Sequence, residues 1–325
     1  MCSDLAIATP EQRATAANSL EVARIQCKDN DLRVDALVLV VRNALEVHET
    51  RNVDAVLQRV EEEFLNSARP MDRWIRNVLR CSALAVRGQL TAAYSHALEA
   101  QRLGARFGIS DSAITWQLQS SQLLAYNPKL HAFVGVEPAP EMAIQEGAPD
   151  ETMGANLLAL AFALKAQAEV EIGETDSATT LIFAAEELLD LTSPDHYMLA
   201  AAGRIARTFF ALNVAPRREL LEPLRAARMA SLIVGMIPGW SMGPASRYAA
   251  LANHLAGHSQ DAIVELLQCA DFARDTEQYL WEFVSLEDIL TIDDFLMSET
   301  KSAAMATDQR SAIVARRRTV GIRFT

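Results

Sequence analysis

Apolar positions return along this chain at steps of three and four residues. Over Asp31–Val47 the recurring set is Val34, Leu37, Val38, Val41, Ala44 and Leu45, and Ala155–Ile172 and Ala262–Phe272 keep the same step. That spacing lays one face of an α-helix against a core. Helix punctuation accompanies it. Ser110 and Asp111 open a helix, Ser193-Pro194-Asp195 closes one and begins another, and Pro216 stands in a first turn, where its missing N–H has no helical partner to lose. Strand signals are nearly absent: no alternating run of β-branched and aromatic residues flanks an Asn-Gly or Asp-Gly turn. The pattern predicts an all-α fold. One irregular stretch, Val134–Gly154, holds Pro138, Pro140, Pro149, Gly135, Gly147 and Gly154. It predicts a linker or long loop between helical halves at 1–133 and 155–298, with a C-terminal helix and basic tail over 299–325.

Internal repetition is the first question for a long helical chain. Three segments answer it, centred on Gly88, Gly173 and Gly257. Each glycine has a small residue seven positions before it (Cys81, Ala166, Ala250), an alanine five after it (Ala93, Ala178, Ala262) and a small residue twelve after it (Ala100, Ala185, Cys269). The glycine suits a left-handed helix end. Small residues at −7 and +5 let two successive helices cross closely, and the one at +12 faces the next pair. From Gly88 to Gly173 is 85 residues and from Gly173 to Gly257 is 84, about twice a unit of 42. Thr50 with Ala55, and the stretch around Val214 with Ala226, fit intervening units.

The small–Gly–Ala–small pattern resembles the tetratricopeptide repeat. The longer period, and the phrase Gly88-Gln-Leu-Thr-Ala-Ala-Tyr-Ser-His-Ala-Leu-Glu-Ala, resemble the divergent repeats of MalT-type bacterial regulators. The family's first-helix aromatics are mostly replaced, and its late proline is missing from the marked units. The resemblance implies an α-solenoid of stacked antiparallel helix hairpins with a period of about 42 residues. It also implies a non-enzymatic interaction or regulatory module that binds a peptide or partner protein in its concave groove.

Composition narrows the classes. Half of the 325 residues are apolar and 22% charged, enough to bury a core and too apolar for a disordered chain. Thirty basic against forty-two acidic side chains give a charge of −12, which repels phosphate backbones and argues against direct nucleic-acid binding. The arginines near the end (Arg310, Arg316, Arg317, Arg318, Arg323) read best as a helix end whose cations suit its dipole, with an acidic partner as the competing reading. Cys2, Cys27, Cys81 and Cys269 form no CxxC pair, as expected of reduced thiols in the cytoplasm. The opening MCSDLAIATPEQR lacks the layout of a secretory signal. Met229–Ser246 carries no charge, but Gly235, Pro238, Gly239, Gly243 and Pro244 interrupt it. It is read as a buried helix end, a tight connection and the next helix start, not as a membrane span.

Candidate chemistry is sparse. There is no GxxxxGK[ST], GxGxxG, HExxH, nucleophile elbow or EF-hand loop, so neither cofactor nor metal is expected. His254 and His258 have metal-ligand spacing, but Gly257 ends the helix between them and predicts a turn with two partly exposed histidines. Asp293-Asp294, following Glu287-Asp288, supports an alternative: an all-α enzyme with an acidic metal or diphosphate site, as in helical terpene synthases. The third acid such sites need is missing, since Phe295, Leu296 and Met297 follow. The favoured reading puts these acids on the exposed side of a helix with Ile289, Ile292 and Leu296 inward. Arg73, Arg76, Arg80 and Arg87 share one face of a first helix, and Lys165, Arg204, Arg207 and Arg247 fall in comparable stretches of later units. Together they are the candidate groove residues, able to grip a partner's carboxylates or phosphates. Pairing with neighbours such as Glu61–Glu63 is the competing structural use. Trp240, with Met236 and Met242, is read as core in preference to a docking patch. Self-association as a homodimer is a further expectation, because uncapped repeat ends expose apolar faces.

Overall fold

The computed structural model describes residues 10–29, 32–33, 36, 58, 61–62, 64, 69–109, 115–116, 119–120, 123, 151–192, 196–217, 219–222, 236–237, 240–241, 245–300 and 305–321. Its helices are α1 (Pro10–Gln26), α2 (Pro70–Val86), α3 (Leu90–Phe107), α4 (Glu151–Ile172), α5 (Thr175–Leu188), α6 (His196–Leu212), α7 (Ala245–Leu255), α8 (Ser259–Asp275), α9 (Tyr279–Thr300) and α10 (Thr307–Gly321). The all-α expectation holds for the described residues, with one departure. Strands β1 (Met236–Ile237) and β2 (Trp240–Ser241) form a two-residue antiparallel ladder. It straddles Pro238-Gly239, a dipeptide suited to reversing the chain. The tight connection expected within the uncharged run thus carries a short antiparallel ladder before α7, and the helix end expected at the start of the run lies outside the described residues.

Three further boundaries differ from expectation. α4 begins at Glu151, inside the predicted linker. α5 ends at Leu188, before Ser193, and Thr192 then donates its N–H to the Asp190 side chain in a local turn. Pro216 precedes the helical residues 219–222. Of Asp31–Val47 only Leu32, Arg33 and Ala36 are described, all helical. Ser110, Asp111, Thr50, Ala55, Ala226, Cys2 and Arg323 lie outside the described residues, as do 134–150. Among the described residues no helix is long and apolar enough to cross a membrane.

One turn recurs. Gly88, Gly173 and Gly257 have φ of 80°, 89° and 88°. In each case the glycine N–H donates three residues back, and the next N–H donates five back: Gly88 to Ala85 and Gln89 to Leu84, Gly173 to Val170 and Glu174 to Glu169, Gly257 to His254 and His258 to Asn253. This is the Schellman ending, which satisfies carbonyls that the last helical turn leaves over. Asn213 (φ 54°) makes the same pair of bonds after α6, to Phe210 and through Val214 to Phe209. Glu277 (φ 59°) does so after α8.

Short connections at Gly88, Gly173 and Gly257 pair α2 with α3, α4 with α5 and α7 with α8. The nine small residues of the three marked segments are all buried, none more than 3% exposed. α9 packs on α8 and α10, while α6 packs on α4, α5 and α7. α4 and α9 are buried on most sides, and the main core runs from Ala159 of α4 to Ile313 of α10. A second cluster joins distant parts of the chain: Cys81, Ala85, Val86, Leu90, Ala93, Tyr94 and Ala97 pack with Ala273, Leu280, Trp281 and Val284. The α2–α3 pair thus shares a core with the start of α9. The buried thiols of Cys81 and Cys269 are free, and burial raises the pKa of both, consistent with their use as small apolar side chains.

Candidate functional site

The described structure brings three of the candidate groove residues together. Arg204 and Arg207 stand on α6 and Arg247 on α7; Arg207 and Arg247 meet at Asp288 of α9, and Arg204 joins Arg247 at the Tyr248 ring. Arg247 donates Nε–H to Asp288 Oδ2 at 2.7 Å, and Arg207 Nε lies 3.2 Å from Oδ1. Arg207 also reaches Glu171 of α4 at 3.9 Å, and Arg204 donates to Gln167 of α4 at 2.9 Å. Four helices are thereby tied by one polar network. The Tyr248 ring takes the guanidinium carbons of Arg204 and Arg247 at 5.9 and 5.7 Å, within cation–π range.

Burial sets what this network can do. Arg204 and Arg247 are 0% exposed and the Asp288 side chain 1%. Charges withdrawn from water this far need opposite charges and hydrogen bonds in place. Arg204 and Arg247 therefore do not line an open groove; in this structure they are inside, holding helices together. Burial also pushes the Glu171 pKa up, with Arg207 opposing it.

The remaining candidates behave differently. Arg76 and Arg80, half-buried on α2, both pair with Glu61 at 3.4 and 2.6 Å, the neighbour named from sequence. Arg73 is exposed on α2 and Lys165 on α4, while Arg87 caps the end of α2 half-buried. Arg76, Arg80 and the burial of His96 together lower the His96 pKa, burial contributing most. Asn77 links the face internally: it donates to the Arg73 carbonyl and contacts His96 Nδ1 at 2.9 Å.

The acids on α9 are not an exposed row. Asp288 and Asp293 are buried, Glu287 is half-buried and Asp294 exposed, although Ile289 and Ile292 do point inward. Asp293 accepts from Arg310 and from the Met305 N–H, and Asp294 accepts from Arg310. Arginines already occupy the carboxylates invoked for a metal or diphosphate site. Among the described residues no group of three His, Cys, Asp or Glu is placed to hold a metal. His254 is buried, against expectation. Its ring sits edge-on to Phe210 and Phe295, with Nδ1 2.9 Å from Ser259 Oγ. His258, beyond Gly257, is exposed. The side chain of Trp240 lies outside the described ones.

Sequence reasoning missed Asp288, Gln167 and Tyr248 as members of this network. No local signal singles out Asp288, which directly follows Glu287 and falls with it among the acids read as the exposed side of the helix. The chain matches no protein-family model, and no curated protein or solved structure is significantly similar to it.

Proposed function

We propose that the chain is a non-enzymatic interaction or regulatory module of the cytoplasm, built of tetratricopeptide-like helix pairs that stack into an α-solenoid with a period of about 42 residues. The observation that carries this reading is the recurrence of one turn with one set of contacts. Gly88, Gly173 and Gly257 close their helices with the same two hydrogen bonds, and the small residues around them are buried alike. Asn213 supplies a matching turn 40 residues after Gly173 and 44 before Gly257. Units of this kind bury an apolar face on their neighbours and leave a long surface for partners. In this proposal the partner is a peptide or protein whose carboxylates meet the accessible face of α2 at Arg73, Arg76 and Arg80, with Lys165 further along. Arg204, Arg207 and Arg247 then set the helix arrangement behind that surface.

The test is affinity capture from the native cell with the unaltered chain and with Arg76→Glu plus Arg80→Glu, far-UV circular dichroism checking the fold. The proposal expects a specific partner lost from the variant. An unchanged capture pattern with a folded variant refutes the role given to this face.

A further inference from the structure

We propose that the chain associates with a second copy of itself, the exposed end of α3 in one copy meeting the α4–α5 turn of the other. The inference goes beyond the groove reading, since it uses neither the α2 face nor Lys165. Charge is shared unevenly between the two helix pairs. Pro70–Phe107 holds six arginines against Asp72 and Glu99, whereas Glu151–Leu188 holds Lys165 against seven acids. Within one copy each pair packs elsewhere: α2 on α3, α9 and β2, and α4 and α5 on each other and on α6. The acids of α9 are met by the arginines of α10. Arg102, Glu174 and Asp176, by contrast, form no ion pair with another described residue.

The two faces complement each other in kind. Arg102 and Arg106 stand one turn apart on α3, both exposed, a spacing that puts them on one side of the helix. Arg106 lies 5.2 Å from the Phe107 ring centre, and Phe107 is 42% exposed. Leu103, buried with Trp74 and Ala100, anchors this end of α3 on α2. In the α4–α5 turn Glu174 and Asp176 are exposed beside Ile172, itself 51% exposed. The bonds from Gly173 to Val170 and from Glu174 to Glu169 fix that turn. Two guanidinium groups and an aromatic ring are thus offered on one face, two carboxylates and an isoleucine on the other. Arginine and aromatic side chains are enriched where proteins meet, and opposite potentials steer such faces together. Each copy carries both faces, so two copies related by a twofold axis make the contact twice. All four charges are exposed, so salt weakens the association.

The experiment measures the mass of the full chain by light scattering over a concentration series at low and high salt. The unaltered chain should reach the mass of at least two copies, with a midpoint concentration roughly tenfold higher at high salt. Arg102→Glu with Arg106→Glu should hold the chain at one copy, and so should Glu174→Lys with Asp176→Lys, circular dichroism checking both folds. Mixing the two variants puts opposite charges at both contacts again, so the mixture should regain the mass of at least two copies. An unaltered chain that stays single at every salt concentration overturns the proposal. Assembly that survives either reversal, or a mixture that stays single, overturns it too. Should a reversed chain not fold, Arg102→Gln with Arg106→Gln decides: its midpoint must rise at least roughly tenfold, and an unchanged midpoint overturns the proposal.

Discussion

Replacing Asp288 by asparagine removes one negative charge, and almost no volume, from the point where α6, α7 and α9 meet. Arg247 is fully buried and the Arg207 side chain only 15% exposed, so water cannot screen the loss. Removing one member of a buried pair costs about 3–5 kcal/mol, a large share of a stability on the order of 5–15 kcal/mol. With an unfolding entropy of about 2 cal/mol/K per residue, the 325 residues would lose about 5–8 °C in Tm. The assay is urea unfolding followed by circular dichroism, with Asp294→Asn as control. The Asp294 side chain is 65% exposed, so its pair contributes at most about 1 kcal/mol. Adding Arg247→Met to Asp288→Asn should recover part of the loss, because the buried cation goes with its counter-ion. If Asp288→Asn costs no more than the control, the network is not what holds these helices in register.

Gly203 of α6 leaves no room toward α7: a Cβ there would sit 2.6 Å from a Tyr248 ring carbon. Gly203→Ala should cost about 1–3 kcal/mol by overpacking, with Tyr248→Leu relieving part of it in the double variant; additive losses would contradict the contact. His254 gives a pH dependence with a definite sign. Burial lowers its pKa from the ordinary 6.5, so the unfolded chain takes up the proton first. Stability should hold above about pH 6.5 and fall below it, toward the depressed folded value. His254→Phe should flatten the urea midpoint over that range; an unchanged slope would assign the dependence to other groups, such as His96, whose pKa burial also lowers.

The three glycine turns were legible in the sequence because a left-handed helix end strongly favours glycine, and the small residues around it can be counted. Asn213 and Glu277 make the same turn without glycine; the doubled spacing points to a unit around Val214, next to Asn213, whereas nothing in the spacing marks Glu277. Helical periodicity located α4 and α8, whereas the β1–β2 ladder rests on two residues a side and leaves no alternating signal. The arginines were visible as a set, but their fates divided on burial. Arg247 and its carboxylate lie 41 residues apart, and no local pattern shows that Asp288 turns inward to meet it. Asp293 escaped for the same reason, its partner Arg310 lying on the following helix.

Close crossing of paired helices is the claim on which the repeat reading stands, and substitution at its equivalent points measures it. Ala93, Ala178 and Ala262 are each 0% exposed, five residues beyond their glycines. Exchanging each in turn for leucine should lower unfolding free energy by about 1–3 kcal/mol in all three chains. Leucine accepted at these places without loss would mean that the helices do not meet there, and the common unit would be contradicted.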